Sequence, residues 1–147
     1  MRHTSLAQTN CPVARTLDVV GEWWTMLIVR DAFLGTSRFE DFRKIGVADN
    51  ILSARLKRLV EEGVLEKRQY QERPARFEYV LTEKGRDLVL VVGALATWGL
   101  KWTPGLNQNR MRHVECGHQV TVRGYCEHCG EALTAGDVQV VRLAAAG

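Results

Sequence analysis

Apolar positions recur along the first hundred residues with a period that changes from helical to strand-like and back. Leu17, Val20, Trp24, Leu27 and Ile28 keep helical spacing on either side of Gly21, which predicts two short helices meeting near "VGEW". Pro12 suits a first helical position and makes Cys11 the N-cap. "SRFEDFRKI" predicts a short amphipathic helix capped by Ser37, with Glu40 as its capping-box partner. After a tight turn at Gly46, "DNILSARLKRLVEEG" predicts a longer helix that Gly63 stops. Leu52, Leu56, Leu59 and Val60 share one face of it. Asn50, Ser53, Ala54, Lys57 and Glu61 take the other, with Arg58 at the border.

The period then drops to two. "VLEKRQYQ" and "FEYVLT" alternate as strands on either side of "ERPAR", which predicts a hairpin whose tip carries Arg73 and Arg76. Thr82 caps a last long helix, lined on one face by Leu88, Val91, Val92, Leu95, Trp98 and Trp102. "TPGLNQNR" breaks the pattern as a linker. The expected fold class is mainly α with a small antiparallel β-hairpin (α+β). A winged helix-turn-helix spans 1–102, a linker 103–110 and a short zinc-ribbon-like segment 111–143.

Charge sharpens this picture. The net charge is +3, and residues 38–76 hold ten Lys/Arg against seven Asp/Glu, while the flanking segments are each balanced. The whole excess therefore lies on the short helix, the longer helix and the hairpin, as a polyanion-binding face requires. The second helix of such a pair fits the major groove, and its first residues reach base edges. Hairpin arginines reach phosphates or the minor groove. The same fold without DNA binding, as a protein-interaction adaptor, is the rival reading. The polar first ten residues lack the apolar core of a signal peptide, and "LVLVVGALATWGL" is too short to span a bilayer, so a cytoplasmic protein without membrane contact is expected.

The run from Cys11 to Trp102 resembles the HxlR family of bacterial transcriptional regulators, through "CPVARTLDVVGEWWTMLIVRD", "RFEDFRK", "LSARLKRLVEEGVLEKR", "YQERPARFEYVLTEKGRDL" and "WG". The resemblance implies a homodimer that binds double-stranded DNA at a palindromic operator, most simply as a repressor. It implies a recognition helix starting near Asp49, with Asn50, Ser53, Arg55 and Lys57 meeting DNA, and Arg73 and Arg76 on the wing. Arg38 joins this candidate DNA-binding set. Two departures stand out: Glu22 occupies a position where the family often has lysine, and Ala48 one where a capping serine is common, with Asp49 as a substitute cap. For a dimer, Trp24 is expected in the core and Trp98 and Trp102 nearer the subunit seam. Some family members sense oxidants through a cysteine at the place of Cys11, where a helix N-terminus favours thiolate. The alternative is an inert cap; a small-molecule effector is also open, though no feature of the sequence points to one.

The tail adds separate chemistry. "HVECGHQVTVRGYCEHCG" contains two knuckles, His113-x2-Cys116-Gly and Cys126-x2-Cys129-Gly, joined by the strand-like "QVTVRGY". This spacing predicts one structural Zn2+ per chain, ligated by His113, Cys116, Cys126 and Cys129, with His118 and His128 as substitutes for His113. Arg110, Arg112 and Arg123 could extend the DNA footprint. A zinc hydrolase is the remote alternative; the tail is too short to build a nucleobase pocket, and three further features stand against it. Only ten residues separate Glu115 from Cys126, Tyr125 stands where a deaminase motif needs proline, and four protein ligands leave no open metal position.

Overall fold

The computed structural model describes residues 5–103, 105 and 110–141. The chain divides into two units, Met1–Val92 and Gly93–Gly147. Most of the expected linker, residues 104 and 106–109, and the end of the expected tail, 142–143, lie outside the described residues.

The first unit opens with α1 (Pro12–Val20) and α2 (Trp23–Phe33), the pair that Pro12 and the break at Gly21 predict. α3 is short, Phe39–Phe42, and continues as a tight turn of 3-10 helix over Arg43–Ile45. Its cap differs from the expected one. Arg38, not Ser37, is the N-cap, and no side chain caps the helix. The reason lies in β2: the Ser37 carbonyl accepts from the Tyr79 amide at 2.7 Å, and Arg38 pairs with Glu78. Arg38 therefore runs extended, joined to β2 by a single bridge.

Gly46, at φ 89°, turns the chain into α4 (Asp49–Glu61). Ala48 is its N-cap and Asp49 its first helical residue, so Asp49 does not take over the cap. The helix stops at Gly63, φ 68°, whose amide bonds to Val60 while the Val64 amide bonds to Leu59. This double return satisfies two terminal carbonyls, and it needs the left-handed residue that glycine supplies. Lys84 caps the same end by donating to the Glu62 carbonyl at 2.6 Å.

β1 (Leu65–Gln71) and β2 (Arg76–Leu81) form the antiparallel wing. Register slips between Gln69 and Gln71, leaving Tyr70 as the extra residue of a bulge. Thr82 locks the wing's base. Its hydroxyl accepts from the Gly85 amide at 3.1 Å and donates to the Gly63 carbonyl at 2.6 Å. The expected last long helix is two: α5 (Glu83–Asp87) and α6 (Val89–Trp102), separated at Leu88, which packs against the core together with Val92.

The core joins Ile28 and Val29 of α2, Phe42 of α3, Leu52, Leu56 and Leu59 of α4, and Val64 and Leu65 at the wing. Burying each such side chain contributes about 1.5–3 kcal/mol, which fixes α4 by its inner face. Trp24 packs on this core, as expected, whereas Trp23 is exposed.

In the second unit, the latter part of α6 packs against the tail. Thr97 bonds to the Gly93 carbonyl and accepts from the Val122 amide at 3.2 Å. The expected strand over "QVTVRGY" does not form; two compact turns flank the stretch, each closed by one antiparallel bridge, Arg112 to Gln119 and Tyr125 to Ala132. A tight turn of 3-10 helix over Ala135–Asp137, capped reciprocally by Thr134 and Asp137, follows.

Candidate nucleic-acid interface

Because α4 is held to the core by Leu52, Leu56 and Leu59, its opposite face is presented outward. Asn50, Ser53, Ala54 and Lys57 are all exposed there. Lys57 is 78% exposed, and Glu61 touches it only at 3.8 Å. Between this row and the wing lies an open groove of about 560 Å3, lined by Ser53, Ala54, Lys57, Lys67 and Tyr79 among others.

The structure sorts the basic residues by whether an acid already holds them. Arg43 bonds to Glu40 at 3.0 Å and to Asp49 at 2.9 Å, and these acids raise its pKa above the ordinary value. Lys44 bonds to Asp41 at 2.7 Å and lowers that carboxyl. Arg58 is shared by Glu62 at 2.7 Å and the nearly buried Asp18 at 3.5 Å. On the wing, Arg68 pairs with Glu66 at 2.9 Å.

Arg55 belongs to this held group. Its guanidinium bonds to Glu22 at the N-cap of α2, 3.2 Å away, and its Nε is buried without a hydrogen-bond partner. The departure at Glu22 thus has a local consequence: an acid there holds Arg55, where a lysine would repel it. Arg55 lies to the side of the exposed row of Asn50, Ser53 and Lys57.

The wing residues Arg73 and Arg76 are exposed and carry no ion pair among the described residues. Arg38 lies over the Tyr70 ring at 4.6 Å, which the bulge makes available. Lys67 stands over the Phe77 ring at 4.4 Å and faces the groove. Lys67 is not among the residues expected from the sequence; strand alternation, which puts it opposite Tyr79 and diagonal to Phe77, is the signal that finds it. Free or ring-held cations therefore flank an outward helix row with small polar side chains. That arrangement can follow a phosphate backbone while the row approaches base edges.

The other candidates lie apart from this face in sequence. Cys11 is exposed at the N-cap of α1 and is the sole cysteine of the first unit's sequence. In the tail, His113 Nδ1 lies 3.3 Å from Cys116 Sγ. The backbone amides of Cys129 and His128, with the Cys129 thiol, hold the Cys126 thiol below its ordinary range. The two pairs are separate: among the described residues, no three His, Cys, Asp or Glu side chains come together so as to hold a metal ion. No helix among the described residues is long and apolar enough to cross a membrane.

Comparison with known proteins agrees with this geometry. A family model described as HxlR-like helix-turn-helix matches residues 19–107. The HTH-type transcriptional regulator Rv3095 of Mycobacterium tuberculosis, itself uncharacterized, is 43% identical over 129 residues, covering 86% of this chain and 82% of its own. The crystal structure of PA1607 superposes with a TM-score of 0.82 at 43% identity, covering 95% of this chain and 99% of that one. The redox regulator HypR in its oxidized form superposes with a TM-score of 0.60 at 33% identity, covering 65% of this chain and all of its own. These relatives are transcription regulators and not enzymes, in keeping with the case against a hydrolase. The protein belongs to the HxlR-like helix-turn-helix family of transcription regulators.

Proposed function

We propose that the protein acts in the cytoplasm as a homodimer that reads a palindromic duplex operator and represses the gene it controls. α4 enters the major groove with Asn50, Ser53 and Lys57 toward base edges, and Arg73 and Arg76 take adjoining phosphates or the minor groove. One observation carries this reading: the exposed row of α4 stands on a helix fixed by its buried face, beside wing arginines that no acid among the described residues neutralises.

The dimer draws support from α6. Val91, Leu95, Trp98 and Trp102 recur at i, i+4, i+7 and i+11, and are 41%, 58%, 63% and 62% exposed. An exposed apolar stripe of this size on one helix face suits a second copy of the same helix across a two-fold axis. Two copies of α4 then meet successive half-sites one helical turn apart, which is what a palindrome supplies.

The test is binding to promoter DNA flanking the protein's own gene, followed across a salt series. Lys57→Ala and Arg76→Ala are expected to weaken binding and flatten the salt slope by about 0.9 for each phosphate contact removed. Asn50→Ala is expected to relax base preference at a cost of about 1–3 kcal/mol. Failure to bind any such DNA above the non-specific level would overturn the reading in favour of a protein-interaction adaptor.

A further inference from the structure

The two turns of the tail are the same turn built twice, thirteen residues apart. In the first, the Gly117 amide donates to the His113 carbonyl at 2.8 Å, His113 to His118 at 2.9 Å and Val120 to Met111 at 2.9 Å. In the second, Gly130 donates to Cys126 at 2.8 Å, Cys126 to Glu131 at 2.9 Å and Leu133 to Gly124 at 2.8 Å. The closing bridges and the left-handed glycines, φ 70° at Gly117 and 73° at Gly130, keep the same offset. The repeat places His113 on Cys126 and Cys116 on Cys129. His118 falls on Glu131, beyond the glycine, and His128 falls on Glu115 at the middle of the turn.

Apolar contact with the tail is confined to Met111 and Val122 beside Gly93 of α6 and to partly buried side chains such as Val120 and Leu133, too little to account for two such regular turns. Among the described residues from 110 to 141, none is buried. Segments of this size without a core need another source of stability, and a metal is a common one. The donor pair of the first turn already has a suitable spacing. A tetrahedral zinc with bonds of about 2.0 Å to nitrogen and 2.3 Å to sulfur sets those atoms about 3.5 Å apart; His113 Nδ1 and Cys116 Sγ are 3.3 Å apart.

We propose that each turn is half of one zinc site, with His113 Nδ1, Cys116, Cys126 and Cys129 as its four ligands. The half-sites close on the ion as it binds, over the five-residue joint Val120–Gly124. Three thiols release their protons to solvent in that step. The repeat excludes His118 and His128 from the set, because neither occupies a ligand position of the turn. With four protein ligands the ion has no open position and its role is structural.

The test uses the full chain, reduced and stripped of metal, titrated first with cobalt(II) and then with zinc(II). One cobalt per chain is expected, with the visible absorption of a four-coordinate thiolate site, displaced by one zinc. Cys129→Ser is expected to abolish that spectrum, and His113→Ala to weaken uptake by more than the roughly 10–100-fold that a merely supporting residue costs. His113→Cys should retain the ion with a thiolate-richer spectrum. His118→Ala and His128→Ala should leave affinity within about twofold, far below the cost of a supporting residue. Unchanged helical circular dichroism in each variant shows that the first unit is folded. The proposal is overturned by a reduced chain that takes up no cobalt, or by His118→Ala or His128→Ala behaving as His113→Ala is expected to. It is equally overturned by a Cys126–Cys129 disulfide that survives as the tail's stable form.

Discussion

Arg55 and Lys57 stand two positions apart on α4, yet their neighbours assign them different work. Lys57 reaches into solvent, and Arg55 ties α4 to the N-terminus of α2 through Glu22. Lys57→Ala is therefore expected to weaken DNA binding while leaving unfolding within about 0.5 kcal/mol of the parent. Arg55→Ala should cost about 1 kcal/mol of stability, since it removes a partly shielded ion pair. Urea titration and DNA titration of the two variants separate these roles, and equal effects in both assays would contradict the assignment. Acid sensitivity has a local test as well. Lys44 holds the Asp41 carboxyl below its ordinary value, so the pair contributes above the unfolded pKa and is lost as pH falls through the folded one. The stabilities of the parent and Asp41→Asn are expected to converge below about pH 4, followed by chemical denaturation across pH.

At the scale of elements, the wing depends on a glycine that lies outside it. A Cβ at Gly85 would run into the Val64 carbonyl and approach the Leu81 side chain at 3.0 Å. Backbone cannot yield as a flexible side chain does. Gly85→Ala is thus expected to destabilise the fold by about 1–3 kcal/mol, measured by thermal unfolding, and to loosen the wing's grip on DNA. Elements set by local chemistry were legible in the sequence: Pro12 opening α1, Gly63 ending α4, Thr82 capping α5, the hairpin around "ERPAR". Features that depend on distant residues were not. Arg38 gives up the expected Ser37 cap to pair with Glu78, forty positions away. Glu22 finds Arg55 across two helices. Leu88 separates α5 from α6 without proline or glycine, at a point where it packs on the core. The outward row of α4 was legible because periodicity separates its two faces; its partition into free and held cations was not, because charge partners do not follow periodicity.

For the whole molecule, assembly is the quantity to measure. Trp98→Asp places a charge in the exposed stripe of α6, and is expected to shift the protein from dimer to monomer in sedimentation while the helical spectrum is kept. Operator affinity should then fall by more than tenfold, because one half-site is lost. A monomeric parent would refute the dimer directly. Oxidant response has an equally simple measurement. With Cys11 the sole thiol of its unit's sequence, any peroxide effect routed through it should vanish in Cys11→Ser and should otherwise appear as a disulfide-linked dimer or an adduct.

The doubled turn of the tail has one more consequence. Two segments that share every backbone bond at a fixed offset are interchangeable parts, so the stretch 126–131 can be written in place of 113–118 without changing the backbone pattern. A chain carrying the second turn twice would have a symmetric tail with four cysteines at equivalent positions. Modules of this kind can be exchanged or doubled as units, provided that the bond from Val122 to Thr97 of α6 is kept.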